Sequence, residues 1–85
     1  MEVDVTEGRI WNIDRNNRSF ETITGQDFSS IIRFNVTEDA KILNRRERPI
    51  GFSNLMIGMR VRVIHANFMT ASIPPQTTAY EIQVL

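Results

Sequence analysis

Phe52-Ser53-Asn54-Leu55-Met56-Ile57-Gly58-Met59-Arg60-Val61-Arg62-Val63 carries the reading on which the fold turns. Ser53 can cap a single helical turn through Leu55 and Met56, and Gly58 stands where a helix finishes with positive φ. Directly afterwards Met59, Val61 and Val63 alternate with Arg60 and Arg62, the two-residue period of a strand with one dry face. One brief helical turn therefore feeds straight into a strand. The phase falters at Ile64-His65-Ala66, which a bulge or a strand covered on both faces explains.

Toward the C-terminus follows a neutral, proline-marked loop, Met69-Thr70-Ala71-Ser72-Ile73-Pro74-Pro75-Gln76-Thr77-Thr78. Tyr80, Ile82 and Val84 then alternate with Glu81 and Gln83, a closing strand. Toward the N-terminus, Asn44-Arg45-Arg46-Glu47-Arg48-Pro49 reads as an exposed loop, because Pro49 disfavours regular structure on either side. Thr37 to Leu43 is ambiguous in pattern. Ile31 to Val36 is a half-buried strand with Ile32, Phe34 and Val36 on one face and Arg33 and Asn35 on the other. Gly25-Gln26-Asp27 marks a turn, Ser19 to Thr24 a strand, and Asp14-Arg15-Asn16-Asn17-Arg18 the polar turn of a hairpin. Val3, Val5, Ile10, Trp11 and Ile13 form a long first strand, interrupted by Gly8, which predicts a bulge or sharp bend there.

Three strands, a short helical turn and two further strands, with no repeat and no linker, predict an all-β fold. The order fits a five-stranded OB-like Greek-key barrel with its helical turn between strands 3 and 4, spanning residues 1–85 as one domain. An SH3-like barrel and an open α+β sheet are the alternatives. Closing the sheet also removes bare strand edges, which a domain this small otherwise manages only with charges or bulges.

Gly8-Arg9-Ile10 opening a strand, Phe52-Ser53-Asn54-Leu55 with Gly58-Met59-Arg60-Val61-Arg62-Val63, and Met69 to Gln76 together resemble small, functionally uncharacterised bacterial OB-like domains. Such domains recur alone or appended to secreted or envelope proteins. The Ser72-x-Pro74-Pro75-Gln76 loop between the last two strands is the specific part of the likeness. The resemblance implies a barrel and brings no catalytic residue.

Composition narrows the function classes. Hydrophobic residues make up 41% of the 85 and charged residues 24%, which indicates a folded domain and not a disordered chain. A domain of this size buries only about 60 to 65% of its unfolded surface, which leaves little room for an enclosed active site. Ten basic and ten acidic residues cancel, so the surplus positive charge of a general nucleic-acid binder is missing. The absence of cysteine excludes disulfides, zinc-thiolate sites and thiol catalysis. No apolar run approaches the roughly 18 residues of a membrane span, so membrane insertion is not expected. The N-terminus Met1-Glu2-Val3-Asp4-Val5 is acidic where a signal peptide is basic. The chain reads as soluble, cytoplasmic as given and extracytoplasmic if a signal peptide precedes it.

Candidate chemistry is sparse. His65, the single histidine, lies in phase with Val61 and Val63 and reads as structural. No HxH, HExxH or calcium-loop spacing supports a metal, and no cofactor is implied. Glu38 and Asp39 are adjacent on an extended segment, point to opposite faces and cannot flank one bond. No nucleophile elbow or triad spacing is present, so the chain reads as non-enzymatic. The run Arg45-Arg46-Glu47-Arg48 has the forks to reach a phosphate or an acidic partner, and as a plain loop it is a solvated charge cluster. The sequons at Asn17 and Asn35 are short enough to arise by chance.

The composition predicts a binding or accessory module, a monomer or weak dimer, that docks a protein or cell-wall polymer through Ile73, Pro74, Pro75 and Gln76, helped by Trp11 or Arg33. Stiff prolines lower the ordering cost of docking, and as a plain connection they merely stiffen a long loop. The alternative is single-stranded nucleic acid on strands two and three, for which Trp11, Phe20, Arg33 and Phe34 are the raw material. The absence of charge in the proline loop argues against it.

Overall fold

A computed structural model describes residues 2–25 and 30–85. Among these residues there are five strands: β1 (Val3–Asp14), β2 (Ser19–Ile23), β3 (Ile32–Leu43), β4 (Arg60–Ala66) and β5 (Gln76–Val84). They close into a barrel in the order β1-β2-β3-β5-β4, with β3 and β5 parallel and every other neighbouring pair antiparallel. A single 3-10 turn, Phe52–Asn54, joins β3 to β4. The predicted OB-like architecture is the observed one. No helix among the described residues is long and apolar enough to cross a membrane.

Alternation explains the core. Val61, Val63 and His65 from β4 and Thr77, Ala79, Ile82 and Val84 from β5 point inward, where they meet Ile10, Phe20, Phe34, Val36 and Ile42. Phe20 and Phe34 pack with ring centroids 5.4 Å apart, and the His65 ring sits 5.2 Å from Phe34. The 3-10 turn plugs one barrel end with Phe52 and Leu55, both buried.

Three local readings need correction, and one that the pattern left open is filled in. Gly8 is not the bulge. β1 pairs continuously with β4 from Val3 to Arg9, and its register against β2 slips between Ile10 and Asn12, which leaves Trp11 as the extra residue. Gly8 instead lies where β1 passes from one neighbour to the other, so close to β2 that a Cβ there would be 3.1 Å from Thr22 Cβ and 3.2 Å from the Ile23 carbonyl. Second, Ser53 lies inside the turn and does not cap it. Gly51 is the residue before the turn, and its N–H donates to Asn54 Oδ1 at 3.0 Å. Gly58 does take positive φ, at 97°, in a separate turn closed by Met59 N–H donating to the Met56 carbonyl.

Third, the ambiguous stretch Thr37 to Leu43 is strand. It departs from β5 after Val36 and rejoins it at Lys41, and that excursion spoils its alternation. Fourth, the proline loop is shorter than its composition suggests: Gln76, Thr77 and Thr78 already belong to β5. The faltering phase near His65 is a register shift between β4 and β5, with Tyr80 as the additional residue. In the predicted turn at Gly25, Gly25 has positive φ, while Gln26 and Asp27 lie outside the described residues.

Candidate functional site

Two surfaces stand out, one at each end of β4. Beyond Ala66, where β4 ends, the chain runs into the proline loop. Thr70 organises it: its N–H donates to the Gln76 carbonyl at 2.9 Å, its hydroxyl accepts from Gln76 N–H at 3.1 Å, and the same hydroxyl shares a 2.6 Å hydrogen bond with Ser72. Ser72 Oγ donates in turn to the Pro74 carbonyl at 2.9 Å. The Pro75 carbonyl accepts from Arg33 N–H, which ties the loop to β3. Held this way, Ile73 is fully exposed, at 102% of its reference area, with Phe68 at 64% nearby in sequence. An apolar side chain on a braced loop loses little freedom when it docks.

The predicted site residues fall into one connected band. Arg33 and Gln76 are register partners, and Asn35 Nδ2 donates to Gln76 Oε1 at 3.3 Å. Glu21 is the register partner of Arg33 on the other side. Its Oε2 accepts from Arg33 Nη2 at 2.7 Å and Nε at 3.1 Å, while Oε1 accepts from Trp11 Nε1 at 3.1 Å. Trp11, half-exposed, and Arg33 are thus fixed on a common carboxylate, and the row Trp11-Glu21-Arg33-Gln76 leads across the outer sheet to the proline loop. Glu21 itself is buried and was missed by sequence reasoning, because nothing in its own neighbourhood marks it.

For a single-stranded nucleic acid the arrangement is poor. Phe34 is core, as the face it shares with Ile32 and Val36 predicts, and Phe20 is core as well, at 0% and 1% exposure, so neither ring can stack on a base. Arg33 is committed to Glu21. His65 is fully buried: its Nδ1 lies 2.8 Å from the Ala66 carbonyl, so that nitrogen donates, and Nε2 shares a 2.8 Å hydrogen bond with the Thr6 hydroxyl. Both ring nitrogens are occupied, Nε2 in tying β4 to β1 and Nδ1 within β4 itself.

The second surface lies at the start of β4. Arg9, Arg45, Arg46 and Arg60 surround a groove of about 830 Å³ floored by Ile50, Met56, Ile57 and Met59. Sequence reasoning saw only the Arg45-Arg46 part of it.

These features define a small closed β-barrel with two outward-facing surfaces and no enclosed catalytic cavity among the described residues. No protein-family model matches the sequence, and no curated protein resembles it significantly. Solved structures do. A YobA protein from Bacillus subtilis subsp. subtilis str. 168 matches with a TM-score of 0.72 at 15% identity, covering 99% of this chain and 96% of that one. A tryptophan-to-alanine variant of CusF from Escherichia coli with copper(II) matches at 0.66 and 15% identity, over 99% and 92% of the two chains. CusF with silver(I) matches at 0.66 and 14% identity over the whole of both. Likeness at this identity establishes the barrel.

Proposed function

We propose that the protein is a non-catalytic binding or accessory module that docks a protein or polymer partner through the tip of the proline loop. The observation that carries this reading is the bare Ile73 on a loop braced by Thr70, Ser72 and the Pro75 carbonyl. Trp11 and Arg33, immobilised on Glu21, extend the contact face toward β1. The likeness to CusF and YobA is consistent with a small binding barrel, and we place the chain beside the uncharacterised bacterial OB-like domains that its Ser72-x-Pro74-Pro75-Gln76 loop resembles.

The metals of the CusF structures do not carry over to this proposal. Among the described residues no three His, Cys, Asp or Glu side chains converge. Met56 and Met59, which both line the groove, do so among four arginines, whose charge opposes a cation.

Replacing residues 73–76 by a Gly/Ser segment, or making the single change Ile73→Asp, is expected to abolish capture of the partner in a pull-down while the far-ultraviolet circular dichroism stays unchanged. Retained capture by both variants overturns the proposal. Capture of oligonucleotides that weakens with salt supports the nucleic-acid alternative instead.

A further inference from the structure

We propose that the arginine-rimmed groove at the opposite end of the barrel binds a single-chain amphiphile carrying an anionic head, a carboxylate or a phosphate monoester. The inference is independent of the proline loop, since the two surfaces lie at opposite ends of β4.

Charge is the first argument. Arg9, Arg45, Arg46 and Arg60 line the groove, and among the described residues no Asp or Glu side chain does. Glu47, in the same loop as Arg45 and Arg46, is not among the lining residues. Arg9 Nη1 donates to the Gly58 carbonyl and Arg45 Nε to the Leu85 carbonyl, bonds that fix those two forks and leave their remaining N–H groups available. Among the described residues Arg46 and Arg60 make no ion pair, while three of the ten acids are paired away from the groove: Glu7 with Arg62, Glu21 with Arg33 and Glu81 with Lys41.

Register supplies the second argument. Arg9 and Arg60 are direct cross-strand partners in the β1–β4 ladder. Like charges in that position oppose strand pairing. Two positions along the ladder, past the Gly8–Val61 pair, the same two strands place Glu7 opposite Arg62, with Arg62 Nε 3.0 Å from Glu7 Oε2. The ladder therefore uses complementary charge beside the groove and gives it up at the groove itself. A bound anion between the two guanidinium groups turns that repulsion into a bidentate clamp.

The floor selects the rest of the ligand. Ile50, Met56, Ile57 and Met59 present apolar surface, with Met56 at 60% and Ile57 at 66% exposure. Thioether side chains adapt to ligands of varied shape. The volume falls in the roughly 300–1,000 Å³ range of small-molecule sites.

The test is calorimetric titration of the whole protein with dodecyl phosphate kept below its micelle threshold, beside dodecyltrimethylammonium, inorganic phosphate, and vesicles of phosphatidylglycerol. Dodecyl phosphate is expected to bind one to one with submillimolar affinity, to raise the melting temperature by mass action, and to bind more weakly as salt is added. The double variant Arg46→Gln/Arg60→Gln, at exposed positions, is expected to weaken binding by at least about tenfold, as is Ile57→Glu. Ile73→Asp leaves it unchanged. Equal binding of the cationic amphiphile, equally tight binding of phosphate alone, binding to vesicles only, or indifference to the arginine substitutions each overturns the proposal.

Discussion

Asp14 shows how much organisation one exposed side chain supplies. It closes β1, and its Oδ1 accepts from the N–H groups of Asn16 and Asn17 while Oδ2 accepts from Asn17 Nδ2 at 2.8 Å. The Asn17 side-chain bond, joined by the backbone bonds, holds the Asp14 carboxyl below its ordinary value of 3.8. The sign follows from linkage: a depressed folded-state value means the charged form stabilises the hairpin above the unfolded value, and that contribution is lost as pH falls through the folded one. A carboxyl titration by NMR is expected to place the Asp14 midpoint under 3.8. Asp14→Asn is expected to be less stable than the parent at neutral pH and to converge with it in strong acid. A midpoint at or above the ordinary value removes the argument.

At the scale of elements, the 3-10 turn does more than its three residues suggest. Phe52 and Leu55 seal the barrel, Arg18 lies 5.3 Å over the Phe52 ring, and Arg15 donates to the Ser53 and Leu55 carbonyls that the short turn leaves open. Leu55→Ala empties a fully buried site, so a loss of about 2–5 kcal/mol is expected from a urea unfolding midpoint. That is a large share of the stability of a domain this small.

The turn at Gly58 and the strand after it were legible because their signals are local: a glycine needing positive φ and two valines alternating with two arginines. What could not be read was set by neighbours. Gly8 announces an irregularity, but only the crossing of β2 decides that it is a close approach and that Trp11 takes the bulge. Glu38-Asp39-Ala40 obscures β3 because the strand there has left β5, so neither face is under a consistent demand. The proline loop was visible as composition, yet its end was misplaced by three residues. The Glu21 bridge and the four-arginine groove join residues from separate segments, and periodicity carries no record of such meetings.

On the scale of the whole molecule, zero net charge conceals an uneven distribution. Four arginines gather at the start of β4, while Glu2 and Asp4 stand near its other end, where Asn67 Nδ2 donates to Glu2 Oε2 and Asp4 is the partner of His65. Each end of the barrel therefore presents a different chemistry, an anion-seeking groove and a neutral braced loop, and closure of the sheet keeps the two apart.

β4 also determines how the domain answers to tension. It is flanked on both sides by antiparallel neighbours, Val3 lying against Ala66 at one end of it and Leu85 N–H bonding to the Arg60 carbonyl at the other. Traction on residues 3 and 84 in opposite senses would slide β1 and β5 along β4, so their ladder bonds, perpendicular to the pull, bear the load together and cannot unzip singly. Single-molecule stretching between these two points is expected to rupture at higher force than stretching across the Asp14–Ser19 hairpin, where the bonds open one after another. A barrel built this way can sit in series within a stressed assembly and keep its shape.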